Sequence, residues 1–165
     1  MCHHQNKFMN QEEIKLAERL LDQGNYKALA KFLAPFVESK DPYAINLFSC
    51  FSLPCESESD FHKRHINQTV EASKLGSAVA SYRMGVNYLY GDDVERDLSK
   101  ASYYFERAIN QGHSHAKFTY GFSLYHGTDG TTRDVSRGLR LMQEAAKEGI
   151  ELAVSELETI NQKGT

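Results

Sequence analysis

Residues of the same type recur along this chain at an interval of 36 positions, and this repeat limits the possible folds more than any other feature. The recurring residues are Ala44, Ala80 and Ala116, Gly76 and Gly112, Gly85 and Gly121, and Gly91 and Gly127. Farther along the chain the interval becomes 37, as between Ala108 and Ala145. We therefore predict a one-residue insertion in residues 127–132 relative to residues 91–96. Its Gly, Asp and Thr content indicates a surface loop.

Each repeat carries apolar residues at the spacing of an α-helix. Ala80, Met84 and Tyr88 fall on one side of a first helix. A second apolar stripe of the same kind begins at Ala101 and ends near Gly112, where a left-handed C-cap would stop a helix. Small residues on both stripes let two antiparallel helices approach closely. The repeat unit is therefore predicted to be a helical hairpin.

The run from Ala80 to Ala116 resembles a Sel-1-like repeat, a tetratricopeptide-related (TPR-like) hairpin of about 36 residues. The matching positions are Ala80, Gly85, Tyr88, Gly91, Val94, Asp97, Lys100, Ala101, Phe105, Ala108, Gly112 and Ala116. The next unit has Gly138 where the family has Ala, and the unit from Ala44 is degenerate, with Ser49 and Cys55 in place of the family glycines. The resemblance implies an all-α fold, a right-handed α/α superhelix (solenoid) of Sel-1-like/TPR-like helical hairpins.

The repeat pattern predicts one domain over residues 1–165, because a hairpin buries its apolar face only against its neighbours. Its parts are a disordered N-terminus (1–9), an N-terminal capping helix pair (10–40), a degenerate repeat (41–76), two repeats (77–112 and 113–149) and a C-terminal closing helix (150–162).

Charge and composition exclude two kinds of partner. A net charge of −3 and scattered basic residues argue against nucleic acid, which needs clustered Lys and Arg. The longest uncharged stretch contains Pro42 and Pro54 and falls short of the roughly 20 apolar residues that a membrane span needs, so we expect no membrane insertion. The N-terminus lacks an apolar secretory signal, and three cysteines favour free thiols over a disulfide framework. These features predict a cytoplasmic protein.

Residues that could carry catalysis form no complete site in the sequence. His62 and His65 share a helix face, but a metal site needs a third ligand, for which Cys55 or Asp60 is near in sequence. Two surface histidines are the preferred interpretation. We predict no enzymatic activity, no metal and no cofactor. The competing class is a metal-dependent enzyme, or a β-lactamase-like enzyme as in a cysteine-rich branch of the resembled family.

Two further polar patterns are interpreted as surface features. His113-x-His115 spans the turn between two repeats, with no thiol or acidic partner at a recognisable spacing. Glu56, Glu58 and Asp60 form an acidic cluster that we interpret as a solvated loop.

The outward positions of the first helices predict a protein-binding surface. Counted from the recurring Ala, positions +2, +3, +6 and +10 point toward the concave side of a superhelix. The candidate residues are Tyr82, Arg83, Val86, Tyr90, Phe118, Phe122 and His126. Aromatic residues at these positions indicate a groove that another protein fills. The alternative, weighed equally, is that the rings pack on one another or on the N-terminal cap.

The leading hypothesis is a non-catalytic adaptor or scaffold that binds a peptide, helix or domain of another protein in this groove. A more particular version is an immunity or antidote protein that occludes a secreted bacterial toxin, a role known for small proteins of the resembled family. No residue selects that version.

Overall fold

The computed structural model describes residues 8–163, and every regular element in this range is an α-helix. The helices are α1 (Gln11–Asp22), α2 (Tyr26–Glu38), α3 (Pro42–Phe48), α4 (Glu58–Lys74), α5 (Ala78–Tyr90), α6 (Leu98–Asn110), α7 (Ser114–His126), α8 (Val135–Lys147) and α9 (Glu151–Lys163). The all-α prediction is confirmed for these residues. Contacts divide the chain into two compact units, the first ending at Ala80 and the second beginning at Ser81.

The first unit contains α1 to α4, each packed against its neighbour in sequence. Its main core is built from Ala17, Leu29, Leu33, Phe36, Ala44, Leu47 and Phe51. The backbone N–H of Met9 donates to Asp41 Oδ2 at 2.7 Å, and Asp41 also caps α3. Residues 1–7 of the predicted disordered N-terminus lie outside the described residues.

The recurring glycines end the second helix of each hairpin. Gly76, Gly112 and Gly149 have φ values of 107°, 88° and 91°, in the left-handed region that glycine adopts without strain. The N–H of the residue after each glycine bonds to the carbonyl of the Ala four residues before it. This is the Schellman arrangement, which satisfies carbonyls that a helix end would otherwise leave without partners. The recurring Ala-x3-Gly spacing is therefore a helix-stop signal.

Recurring aspartates start the second helices. The side chain of Asp97 accepts from the backbone N–H of Lys100, and Asp134 accepts from that of Arg137. In both hairpins the aspartate N–H also bonds back to a carbonyl of the first helix. The loop from Gly127 to Asp134 is one residue longer than the loop from Gly91 to Asp97, which confirms the predicted insertion.

Glycines inside the first helices mark close contacts within the hairpins. A Cβ added to Gly85 would lie 2.8 Å from the Phe105 ring, and one added to Gly121 would lie 3.0 Å from Leu141 Cβ. Gly138, which replaces the family Ala, leaves even less room, because its Cβ would lie 2.6 Å from the Tyr125 backbone nitrogen. The helices α7 and α8 thus cross with their backbones almost in contact.

The degenerate hairpin closes its turn with an ion pair in place of the family glycines. Arg64 on α4 donates to both carboxylate oxygens of Glu56 at 2.7 Å, and also to the carbonyls of Phe48 and Phe51 at 2.7 Å each. The hydrogen bonds from Arg64 lower the pKa of Glu56 to about 2. The interpretation of Glu56 as part of a solvated acidic loop is therefore wrong, because its side chain is only 10% exposed.

Candidate functional site

An open groove of about 380 Å³ lies among α5, α7 and α9, within the second unit. Tyr90 at the end of α5 and Leu152 at the start of α9 are 66% and 64% exposed. Single exposed apolar side chains are common on protein surfaces, whereas several that share one groove are typical of interaction sites. The residues that define this apolar groove are Leu89, Tyr90, Phe118, Thr119, Phe122, Ser123, Asp129 and Leu152.

Two phenylalanines of α7 line the groove, and the fold holds them in place. The ring centroids of Phe118 and Phe122 are 6.1 Å apart, and Phe122 lies 4.3 Å from the ring of His126. Phe118 also packs against a buried cluster of Ala145, Ile150 and Ala153. Because these rings already pack against other parts of the chain, they would lose little side-chain freedom if another molecule covered them.

Polar groups lie at and beside the groove. Ser123 Oγ donates to Asp129 Oδ2 at 2.6 Å, and Asp129 adopts φ 55° in the loop after α7. His126 Nε2 lies 2.9 Å from Glu156 Oε1 on α9. The surface thus combines an apolar floor with carboxylates.

Three of the seven predicted site residues line this groove, namely Tyr90, Phe118 and Phe122, and a fourth, His126, contacts Phe122. Tyr82 stacks on His113 at 4.5 Å, and both Tyr82 and Val86 pack against the core cluster around Phe105. Arg83 is half-buried and does not line the groove.

His113 supports this part of α7. Its Nδ1 accepts from the Ala116 backbone N–H at 3.1 Å and so caps the helix. Burial, with a smaller effect of His115, lowers the pKa of His113 below its ordinary value of 6.5. The unprotonated ring is the form that can accept this hydrogen bond.

The groove also contains residues that the sequence pattern did not identify. Leu89 and Ser123 lie next to predicted positions on their helices, so a small change of helical phase would include them. Leu152 belongs to α9, which was interpreted only as a closing helix. Asp129 lies in the inserted loop, whose path is not fixed by helical periodicity.

Comparisons with known proteins agree with this architecture. A family model described as Sel1 repeat matches residues 78–113 and 114–150. Each matched range begins and ends one residue after the corresponding predicted repeat, 77–112 or 113–149. Residues 78–150 therefore contain two Sel1 repeats, over 73 of the 165 residues. Sel1 repeats are generally non-catalytic modules that bind other proteins. No curated protein sequence matches the chain.

Solved structures of Sel1-like repeats share the fold. A Sel1 repeat protein from Oxalobacter formigenes is 20% identical, with a TM-score of 0.69 over 86% of this chain and 59% of its own. The antigen c5321 of uropathogenic Escherichia coli is 23% identical, with a TM-score of 0.73 over 93% of this chain and 33% of its own. Cysteine rich protein B of Helicobacter pylori is 19% identical, with a TM-score of 0.60 over 79% of this chain and 93% of its own. The predicted Sel1-type solenoid fold class is confirmed. The chain spans less than two thirds of the first two structures.

Outside the Sel1 repeats, the histidines considered as metal ligands have other contacts. His65 Nδ1 lies 2.8 Å from the Ser49 carbonyl, and His62 Nε2 lies 3.8 Å from Glu58. Residues 8–163 contain no group of three His, Cys, Asp or Glu side chains placed to hold a metal. In the same range, no helix is both long and apolar enough to cross a membrane.

Proposed function

We propose that this chain is a non-catalytic adaptor or scaffold that binds a peptide, helix or domain of a partner protein in the apolar groove. The observation that carries the proposal is the pair of exposed apolar side chains, Tyr90 and Leu152, in one groove with Phe118 and Phe122. Tyrosine is one of the residue types that most often dominate the binding energy when a partner buries them at a protein interface.

The shape of the groove supports binding over catalysis. It has an apolar floor, and the Ser123 hydroxyl in it donates to Asp129, while no histidine, lysine or cysteine is among the residues that line it. A hydrolytic or transfer site needs a nucleophile with an oriented base. A surface of this kind serves recognition.

We further propose a bacterial cytoplasmic setting. Cys55 is exposed and forms no disulfide within residues 8–163, which suits a reducing compartment. The solved structures described above come from bacterial proteins. A fractionation experiment with an antibody to the chain would test the compartment.

The binding proposal is tested with two variants and a matched control. Tyr90→Ala and Leu152→Ala each remove an exposed apolar side chain from the groove. Tyr103→Ala removes a tyrosine that is 58% exposed on α6 and does not line the groove. Quantitative mass spectrometry would compare proteins captured by the wild type and each variant.

We expect at least one captured protein to be depleted by both groove variants and retained by Tyr103→Ala. Truncation of a central interface aromatic commonly weakens affinity by about 2 kcal/mol or more. Equal capture by all four proteins would show that the groove is not the binding site.

A further inference from the structure

The charge of Asp129 restricts what can fill the apolar groove. Asp129 lines the groove and accepts hydrogen bonds from two hydroxyls, Ser123 Oγ at 2.6 Å and Thr128 Oγ1 at 3.3 Å. Among residues 8–163, no Lys or Arg forms an ion pair with it. The carboxylate therefore lies beside apolar side chains without a cation.

The nearest basic residue of the same loop is held by another group. Arg133 Nε donates to the Tyr125 carbonyl at 3.0 Å, at the end of α7. The side chain of Arg133 also packs over Gly127. Glu156 Oε1 lies 2.9 Å from Nε2 of His126, whose ring contacts Phe122. Within residues 8–163, neither of these two carboxylates has a lysine or arginine as its ion-pair partner.

An apolar partner that covered the groove would take Asp129 out of water. Removing a charge from water is unfavourable unless an opposite charge or hydrogen bonds replace the lost hydration. A partner that brings a cation next to its apolar anchor avoids this cost and also gains selectivity over acidic competitors.

We propose that the segment that fills the apolar groove is a short stretch of a partner protein with an apolar or aromatic anchor and an adjacent Lys or Arg. The anchor contacts Tyr90, Phe122 and Leu152, and the cation pairs with Asp129. This inference rests on the proposed function, since it specifies the chemistry of a ligand for the same groove.

The probe is a displayed library of random peptides, selected against the immobilised full chain. Enriched peptides are then synthesised with a fluorescent label, and their dissociation constants are measured by fluorescence anisotropy. For each peptide a second version replaces the basic residue with norleucine or citrulline, which keeps the length and removes the charge.

Asp129→Asn is the decisive variant of the protein. An asparagine keeps the oxygen that accepts from Ser123 and tolerates the left-handed backbone at φ 55°, so only the charge is lost. Asp93→Asn is the matched control. Asp93 is the equivalent residue of the preceding repeat, has φ 59°, and does not line the groove.

We expect enriched peptides to combine an apolar anchor with a nearby Lys or Arg. Asp129→Asn should weaken the charged peptide about fivefold, within the range of partly exposed ion pairs, and should leave the uncharged version unchanged. Asp93→Asn should bind both peptides as the wild type does. Raising NaCl from about 50 mM to about 500 mM should reduce the difference between the two peptides.

The outcomes separate the two proposals. If the selected peptides bind Tyr90→Ala and Leu152→Ala as tightly as the wild type, they bind elsewhere and the proposed function fails. If those variants lose binding but the peptides show no basic enrichment, or Asp129→Asn binds the charged peptide normally, only the present inference fails. A selection that enriches nothing against folded protein counts against both.

Discussion

At the scale of single residues, arginines close the turns of these hairpins as consistently as glycines do. Arg96 Nε donates to the Leu89 carbonyl at 2.9 Å, and Arg133 Nε donates to the Tyr125 carbonyl at 3.0 Å. Arg64 donates to the carbonyl of Phe48, the last residue of α3, and to that of Phe51 just after it. Each arginine supplies N–H groups to carbonyls that lack partners at the end of a first helix.

Arg64→Lys tests this role in the first unit. A lysine keeps the charge but cannot present the planar fork that reaches Glu56, Phe48 and Phe51 together. We expect a loss of about 1–3 kcal/mol in the free energy of unfolding, measured by urea denaturation, because buried acceptors are left without donors. Arg140→Lys, at an exposed position on α8, should change it by less than about 0.5 kcal/mol. Equal effects of the two substitutions would contradict the assignment.

His113 should make stability depend on pH. Burial lowers its folded-state pKa below 6.5, so the unfolded chain binds the proton more readily. The contribution of the neutral His113 ring to the stability of the fold is complete above pH 6.5, and it is lost as the pH falls through the lower folded-state pKa. His113→Asn keeps an N-cap acceptor for α7 and removes the titration. The melting temperature should therefore change less with pH, between about pH 7.5 and 5.5, for His113→Asn than for the wild type. An equal change in both proteins would exclude His113 as the cause.

At the scale of helices, the contact between α7 and α8 depends on two glycines facing each other. A Cβ on Gly138 would lie 2.7 Å from the Gly121 carbonyl oxygen, and one on Gly121 would lie 3.1 Å from the Gly138 carbonyl oxygen. Backbone atoms cannot yield as the end of a flexible side chain can. The preceding hairpin has Ala101 at the equivalent position, so this close approach belongs to the last hairpin.

Gly138→Ala should therefore destabilise the protein, against the usual preference of helices for alanine. Helix propensity alone predicts a gain of about 1 kcal/mol, whereas overpacking typically costs about 1–3 kcal/mol. The sign of the change in melting temperature distinguishes the two effects. Gln143→Ala, at an exposed position of the same helix, is the control and should melt near the wild type. A higher melting temperature for Gly138→Ala would show that the helices can separate without cost.

At the scale of the whole molecule, the second unit contains both a closed core and the apolar groove, and these should respond differently to truncation. Phe105 is 3% exposed and Tyr90 is 66% exposed. Phe105→Ala should cost about 3–5 kcal/mol of stability, whereas Tyr90→Ala and Leu152→Ala should melt within a few degrees of the wild type. Differential scanning calorimetry would measure all three. A large loss for Tyr90→Ala would place its ring in the core.

The hairpins of this chain could be predicted because their signals are local. The Ala-x3-Gly helix stops, the aspartates at 97 and 134 that cap helices, and the apolar stripes each act within one or two turns of backbone. Even the inserted loop residue was visible as a change of interval. Each of these features is set by the backbone geometry of nearby residues, so the sequence by itself determined the helices and their pairing into hairpins.

Only the tertiary structure decided which outward residues form the groove. Tyr82 and Tyr90 both occupy outward positions on α5, yet Tyr82 stacks on His113 whereas Tyr90 remains exposed. Leu152 reaches the groove from another helix, and Arg64 reaches Glu56 and two carbonyls across the turn before α4. The exposure of a side chain depends on what neighbouring elements place against it. Helical periodicity gives the direction of a residue but not its neighbours, because those come from parts of the chain distant in sequence.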